Sequence, residues 1–243
     1  MPAERKCDWH LMLAAAIFDV DGVLLASPHE RAWREALQGF AEPDRFTTAM
    51  YQAHVAGKPR LSGARAALEQ LGVPDAAQQA VVYAQRKQKR LEELIAAESF
   101  TAFPDAIRFV QAVKALGLRM AVASSSKNAN QMLQLIQLSS GQTLLDAFSA
   151  NICGRDLRQG KPNPEIFLLA AAELGIAPGG CFVVEDAPAG IRAARAGGMT
   201  ALGVARHQDA ALLQAEAADL VVNSLDEIAV GELANGRLCR RPI

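Results

Sequence analysis

The chain has 243 residues, a formal net charge of -1 at pH 7, 51% apolar residues and 21% charged ones. That is ordinary globular composition with enough apolar material for a sizeable core, and the length suits one large domain or a core with a smaller insert. The near-zero charge excludes the basic footprint of a nucleic-acid or anionic-membrane binder, and 5% aromatic content argues against a base-stacking surface.

Residues 1–10 are polar and mixed and read as a frayed end. The apolar run at 11–18 is too short for a signal peptide and leads straight into acidic residues, and no run approaches the ~18 apolar residues of a membrane helix. The expectation is a soluble, cytoplasmic protein with neither a membrane nor a nucleic acid as partner. Cys7, Cys153, Cys181 and Cys239 are scattered without a Cys-x-x-Cys pair, so they read as reduced thiols and not as a metal site or a disulfide framework. Residues 13–18 read as a buried strand that stops at Asp19. From 28 to 98 the pattern turns helical and polar. Helices are predicted over 31–40, 45–55, 63–71 and 76–97, broken at Gly57-Lys58-Pro59 and Gly72-Val73-Pro74.

Beyond Phe103 the character alternates. Pro104 opens a helix whose apolar residues Ile107, Val110, Val113 and Leu116 share one face, and Gly117 closes it. Strands are predicted at 119–123, 150–153, 181–184, 200–204 and 220–222, separated by helices at 128–137, 164–174, 188–196 and 209–217. Such alternation implies βαβ units, a doubly wound α/β core with a parallel sheet, and ligands beyond the carboxyl ends of its strands. The resulting division is a core of 11–26 and 98–230, a helical insert at 27–97, and flexible ends at 1–10 and 231–243. The last of these carries Arg237, Arg240 and Arg241, which read as a solvated tail.

Four polar clusters fall at predicted strand ends. In Asp19-Val20-Asp21-Gly22-Val23, one carboxylate can attack phosphorus while the other protonates a leaving oxygen, and the glycine permits the turn. Turns and calcium loops use the same letters. Ser124-Ser125-Ser126-Lys127-Asn128 precedes a predicted helix, where hydroxyls and backbone N–H groups can cradle a phosphate; helix capping by Ser126 or Asn128 is the plainer alternative. Gly160-Lys161-Pro162-Asn163-Pro164 stiffens a loop around one ammonium, which is either a fixed cation at a reacting group or an exposed lysine. Glu185-Asp186 follows an apolar run, where adjacent acids need a cation, and hard oxygen donors suit magnesium; capping of the next helix by Asp186 is the alternative. Together the clusters offer nucleophile, acid, anion cradle, cation and metal ligands at one edge of one sheet.

In order and kind, these clusters resemble the four motifs of the haloacid dehalogenase superfamily of phosphotransferases, over roughly residues 13–225. The resemblance implies Asp19 as the nucleophile and Asp21 as the general acid/base, also offering a backbone carbonyl to the metal. It implies Ser124, Ser125 and Lys161 at the transferring phosphoryl group, and Glu185 and Asp186 completing a Mg2+ site with Asp19 and Asp21. True dehalogenases lack an acid at the position of Asp21, so dehalogenation is a poor reading. The insert is similar to the mobile cap of the β-phosphoglucomutase-like group. His29 and Trp33 match the start of that cap, Arg60 its phosphate-holding arginine, Lys87 a lysine facing the site, and Ser126, Lys127 and Asn128 its distal-phosphate segment. Read from the residues alone, His29 could instead pack on Trp33 one turn away, and Arg60 and Lys87 could be solvated charges. The chain departs from the group at Ala26-Ser27, where an acid and a hydroxyl are usual, in a shorter linker from Asp21 to His29, and in a longer stretch over 138–160. The implied substrate is a small phosphorylated sugar, handled by a mutase or a phosphatase that shares the same core residues, in a monomer or weak homodimer.

Overall fold

Four apolar residues without polar alternation, Ala15–Phe18, make a strand buried on both faces, as central strands of parallel sheets are. In a computed structural model describing residues 12–138 and 141–242, the strands are β1 (Ala15–Phe18), β2 (Leu25–Ala26), β3 (Thr101–Ala102), β4 (Arg119–Val122), β5 (Ala150–Asn151), β6 (Cys181–Glu185), β7 (Thr200–Val204) and β8 (Leu220–Val222). The helices are α1 (His29–Ala36), α2 (Thr48–His54), α3 (Arg60–Gln70), α4 (Ala76–Ala96), α5 (Pro104–Ala115), α6 (Ala129–Leu135), α7 (Glu165–Leu174), α8 (Pro188–Ala196), α9 (Ala210–Ala215) and α10 (Val230–Leu233). The frayed end expected at 1–10, and Cys7 within it, lie outside the described residues.

The main sheet is parallel, in the order β5-β4-β1-β6-β7-β8. The strand order therefore reverses at β1, and the crevice at its carboxyl end is where a doubly wound sheet takes its ligand. Side chains alternate along β1 between two cores: Ala16 and Phe18 pack with Phe109 and Val110 of α5, whereas Ala15 and Ile17 pack with Phe167 and Ala170 of α7. The parallel doubly wound core is as the sequence predicts. Among the described residues, no helix is long and apolar enough to cross a membrane.

The helices α1–α4 form a separate bundle around Trp33, Leu68 and Tyr83, where the Tyr83 hydroxyl donates to the Trp33 carbonyl at 2.8 Å. The helix expected over 45–55 begins only at Thr48, because Thr47 accepts from the Met50 N–H at 3.2 Å and caps it, while Pro43–Arg45 form a 3-10 turn. Bundle and core are joined by the antiparallel ribbon of β2 and β3, with Leu25 opposite Ala102 and Ala26 opposite Thr101. Strands of two residues have no periodicity to read, and the sequence does not announce them. The segment 231–242 corrects the expectation of a flexible tail. Leu233 is buried in the core, the Gly236 carbonyl accepts from Leu13 N–H at 3.2 Å, and Ala229 N–H donates to the Cys239 carbonyl at 2.9 Å. Two of its arginines tie it down: Arg240 donates to the Val221 carbonyl of β8 at 2.6 Å and Arg241 to the Ile228 carbonyl at 3.2 Å.

Candidate active site

β1 and β6 end side by side and deliver Asp19, Glu185 and Asp186 to one place. Lys161 enters from the loop before α7, its side chain fully buried, and donates to Asp19 Oδ1 at 2.5 Å and to Glu185 Oε1. Glu185 Oε2 accepts from the N–H groups of Asp186 and Ala187, each at 3.0 Å, so both of its oxygens are engaged. Carboxylate oxygens of Asp19, Glu185 and Asp186 lie within 4.8 Å of one another. Burial works against the charge of Lys161, but Asp19 and Glu185 outweigh it and hold the ammonium well above its ordinary range. Burial pushes the Asp186 carboxyl well up, with Glu185 and Asp19 adding to the effect and Lys161 opposing it. Three buried carboxylates around one ammonium leave an excess of negative charge that a divalent cation would neutralise. All the donors are hard oxygens, as magnesium requires, so the residues present fit that ion.

The cluster is tightly bounded. Gly22 adopts φ +84°, and a Cβ there would lie 1.9 Å from Asp186 Oδ2; one at Gly190 would lie 1.9 Å from Glu185 Oε1. Gly22→Ala is therefore expected to displace Asp186 and lower kcat by about 10²-fold, the scale of an ångström's misplacement at a reacting centre. Steady-state kinetics at saturating magnesium checks it; a kcat within threefold or so of wild type would mean that Asp186 tolerates the shift.

Asp21 stands apart from the carboxylate cluster. Its Oδ2 accepts from Ser124 Oγ at 3.4 Å, its Oδ1 lies 3.6 Å from His29 Nε2, and burial raises its pKa against the opposing influences of Ser27, Lys87 and Lys161. Ser124 is buried and accepts from the Ser126 N–H at 3.0 Å, while Ser125 Oγ is buried with no hydrogen-bond partner among the described residues. The capping alternatives fail for two residues, since neither Asn128 before α6 nor Asp186 before α8 caps its helix through a side chain. Ser126 Oγ accepts from the Asn128 N–H at 3.2 Å and also meets His29 Nε2 at 3.3 Å. Lys127 pairs with Asp156 at 2.8 Å on the rim.

From the other side the bundle closes over these groups. Lys87 Nζ is 2.9 Å from His29 Nδ1 and 4.9 Å from the centre of the Trp33 ring. It is buried and not a solvated charge, and burial pushes it down to about 7 against the pull of Asp21, with Arg60 adding to the fall. Burial, then Lys87, pushes the His29 imidazole well down. Gln88 Nε2 reaches Asn128 Oδ1 at 3.5 Å across the divide. Arg60 opens α3 at the mouth, exposed, in no ion pair with a carboxylate among the described residues. Closure is intimate below it: a Cβ on Gly160 would lie 2.0 Å from Pro59 Cγ, and one on Gly57 would lie 3.2 Å from Ala187 Cβ.

The cleft between the two parts has a volume of about 480 Å³ and is lined by Asp19, Asp21, His29, Arg60, Lys87, Ser124 to Asn128 and Asp186, with Lys161 and Glu185 beneath its floor. The sequence-predicted residues thus converge on one cleft, the rim pair Lys127 being engaged away from its centre. Tyr51 and Gln52 of α2 also line it and were not anticipated, because nothing in the spacing of an amphipathic helix distinguishes a residue facing a cleft from one facing a core. Burial first, then Asp21 and Asp186, raises the Tyr51 phenol well above its usual range.

Residues 13–198 match the family described as haloacid dehalogenase-like hydrolase. A β-phosphoglucomutase of Mycobacterium bovis is 33% identical over 244 residues, covering 88% of this chain and 90% of the relative. Hexitol phosphatase A of Escherichia coli is 30% identical over 224 residues, covering 90% of this chain and 95% of the relative. Among solved structures, the β-phosphoglucomutase of Pyrococcus sp. Strain ST 04 superposes with a TM-score of 0.72 at 32% identity, covering 91% of this chain and 97% of that one. The chain belongs to the haloacid dehalogenase-like hydrolase family, within its β-phosphoglucomutase-like group, and is an enzyme of phosphoryl transfer.

Proposed function

We propose that the enzyme moves a phosphoryl group on a small phosphorylated sugar through an aspartyl phosphate on Asp19, in a β-phosphoglucomutase-like interconversion. The observation that carries this reading is the buried Lys161–Asp19 contact at 2.5 Å beside Asp186, with Asp21 facing the same cleft. Asp19 attacks phosphorus, the bond to the leaving oxygen breaks, and Asp21 gives that oxygen its proton. Asp21 then takes a proton from the next acceptor, a second sugar hydroxyl in a mutase and water in a phosphatase, whose oxygen attacks phosphorus as the bond to Asp19 breaks. Burial favours the neutral form of Asp21, as suits a group that starts the cycle as an acid. Ser124, Ser125 and Lys161 would hold the transferring oxygens. Asp19 and Asp186, with the Asp21 backbone carbonyl, would hold magnesium, and Glu185, already engaged, would orient Lys161. The ion supplies charge neutralisation at the phosphoryl oxygens.

The cap side favours a substrate with a second anionic group. Arg60, Lys87 and His29 face the carboxylates from above, and Ser126 and Asn128 sit between the two sets. Arg60→Ala is expected to raise KM for a sugar phosphate by roughly 10- to 100-fold, the worth of one charge-assisted contact, with a smaller effect on p-nitrophenyl phosphate. Equal KM values for wild type and variant would remove Arg60 from substrate binding. The deciding assay supplies β-glucose 1-phosphate, magnesium and a trace of glucose 1,6-bisphosphate. Glucose 6-phosphate is the expected product; inorganic phosphate without it would establish the phosphatase reading, which the similarity to hexitol phosphatase A favours.

A further inference from the structure

Arg206 lies just past β7, and its side chain is 9% exposed. Its guanidinium meets two separate segments, 22–23 and 103–105. Nη1 donates to Asp105 Oδ2 at 2.7 Å, Nη2 to the Val23 carbonyl at 3.2 Å and Nε to the Gly22 carbonyl at 3.4 Å, while the group stands 4.1 Å from the centre of the Phe103 ring. Asp105 is anchored in turn, accepting from Ser224 Oγ at 3.0 Å and from the Leu225 N–H at 2.8 Å.

The two carbonyls belong to the two residues immediately after Asp21. On its other side the same turn is pressed by Asp186, which leaves no room for a Cβ at Gly22. Phe103 directly follows β3, and its N–H donates to the Leu24 carbonyl at 3.0 Å. Arg206 thus stands where the acid-bearing turn and both strands of the connecting ribbon meet the core. An ion pair with Asp105 needs only one edge of a guanidinium. A planar fork is required to hold the carboxylate and two successive carbonyls together, which a lysine ammonium cannot do.

We propose that Arg206 is a positioning residue for the reaction, acting through the Gly22 and Val23 carbonyls to hold the Asp21 carboxyl in line with the leaving oxygen. The inference rests on the reading of Asp21 as the acid, and its test separates the two. Turnover is compared on β-glycerol phosphate, whose alkoxide leaves only with a proton, and on p-nitrophenyl phosphate, whose phenolate leaves without one. Arg206→Met should lower kcat/KM on the alkyl ester by about 10- to 100-fold and on the aryl ester by less than about threefold. Asp105→Asn, which weakens the ion pair but keeps both carbonyl bonds, should lower both esters equally and cost similar thermal stability. Should Arg206→Met not fold, Arg206→Lys retains the cation beside Asp105 and is expected to show the same selective loss. Equal losses on the two esters in the Arg206 variants, or no loss, would overturn the proposal. Asp21→Ala is the control. If it too shows no preference between the esters, the role of Asp21 itself fails; if it is selective and Arg206→Met is not, only the role of Arg206 does.

Discussion

Asp19→Asn is expected to lower turnover by on the order of 10⁴-fold or more, the scale seen when a nucleophile is removed from an otherwise intact site. The amide has nearly the shape of the carboxylate but no electron pair fit to attack phosphorus. The side chain is buried beside Lys161 and within 4.8 Å of Asp186 and Glu185, so the change also removes one negative charge from a crowded set. Lys161 keeps Glu185 as a partner, and stability should change by no more than ~1 kcal/mol, so the lost activity reads as lost chemistry. Rapid-quench mass spectrometry should find a phosphoryl adduct on the wild type and none on the variant. Residual activity within tenfold or so of wild type, or an adduct on the variant, would place the nucleophile elsewhere.

Lys161→Met is expected to have the largest structural effect. The lysine side chain is wholly buried and is the cation that Asp19 and Glu185 both contact. Breaking a buried pair by removing one partner costs about 3–5 kcal/mol, because the other partner is left charged without compensation. For a chain of this size that corresponds to a Tm lower by roughly 10 °C or more. The sign with magnesium follows from the same charge balance. The variant site holds the three carboxylates with no ammonium, so added magnesium should raise its Tm by more than it raises that of the wild type. Turnover should stay low even then, since the transferring oxygens have lost their fixed cation. A Tm shift with magnesium that is the same in both proteins would mean that Lys161 and the ion do not share the charge of this cluster.

The sheet was legible because its strands are short apolar runs that stop abruptly, and the acids sit at the stops. Asp19 after Phe18, and Glu185-Asp186 after Val184, carry their position in the sequence itself. Roles within a cluster were less legible. Glu185 and Asp186 are adjacent letters, yet one is occupied by Lys161 and two backbone N–H groups while the other faces the cleft, a distinction made by backbone direction after β6. From the residues alone Lys87 is as readily a solvated charge on a long helix as a group facing the site, and its packing on Trp33 and His29 decides for burial. Arg206 and Asp105 are some hundred residues apart and match no motif; their pairing exists only once β7 and α5 are brought together. The carboxyl-terminal segment reads as a tail because its charges outnumber Leu233 and Leu238, the apolar residues that pack it on the core.

The ribbon of β2 and β3 sets how the helical bundle can travel. Both chain passages between the two parts run through one pair of hydrogen-bonded strands, so they bend together and share an axis. Two passages tied in this way resist sliding of one part past the other, and Pro59 is seated against Gly160. Registration of the bundle residues over the carboxylates is thereby built into the covalent connection.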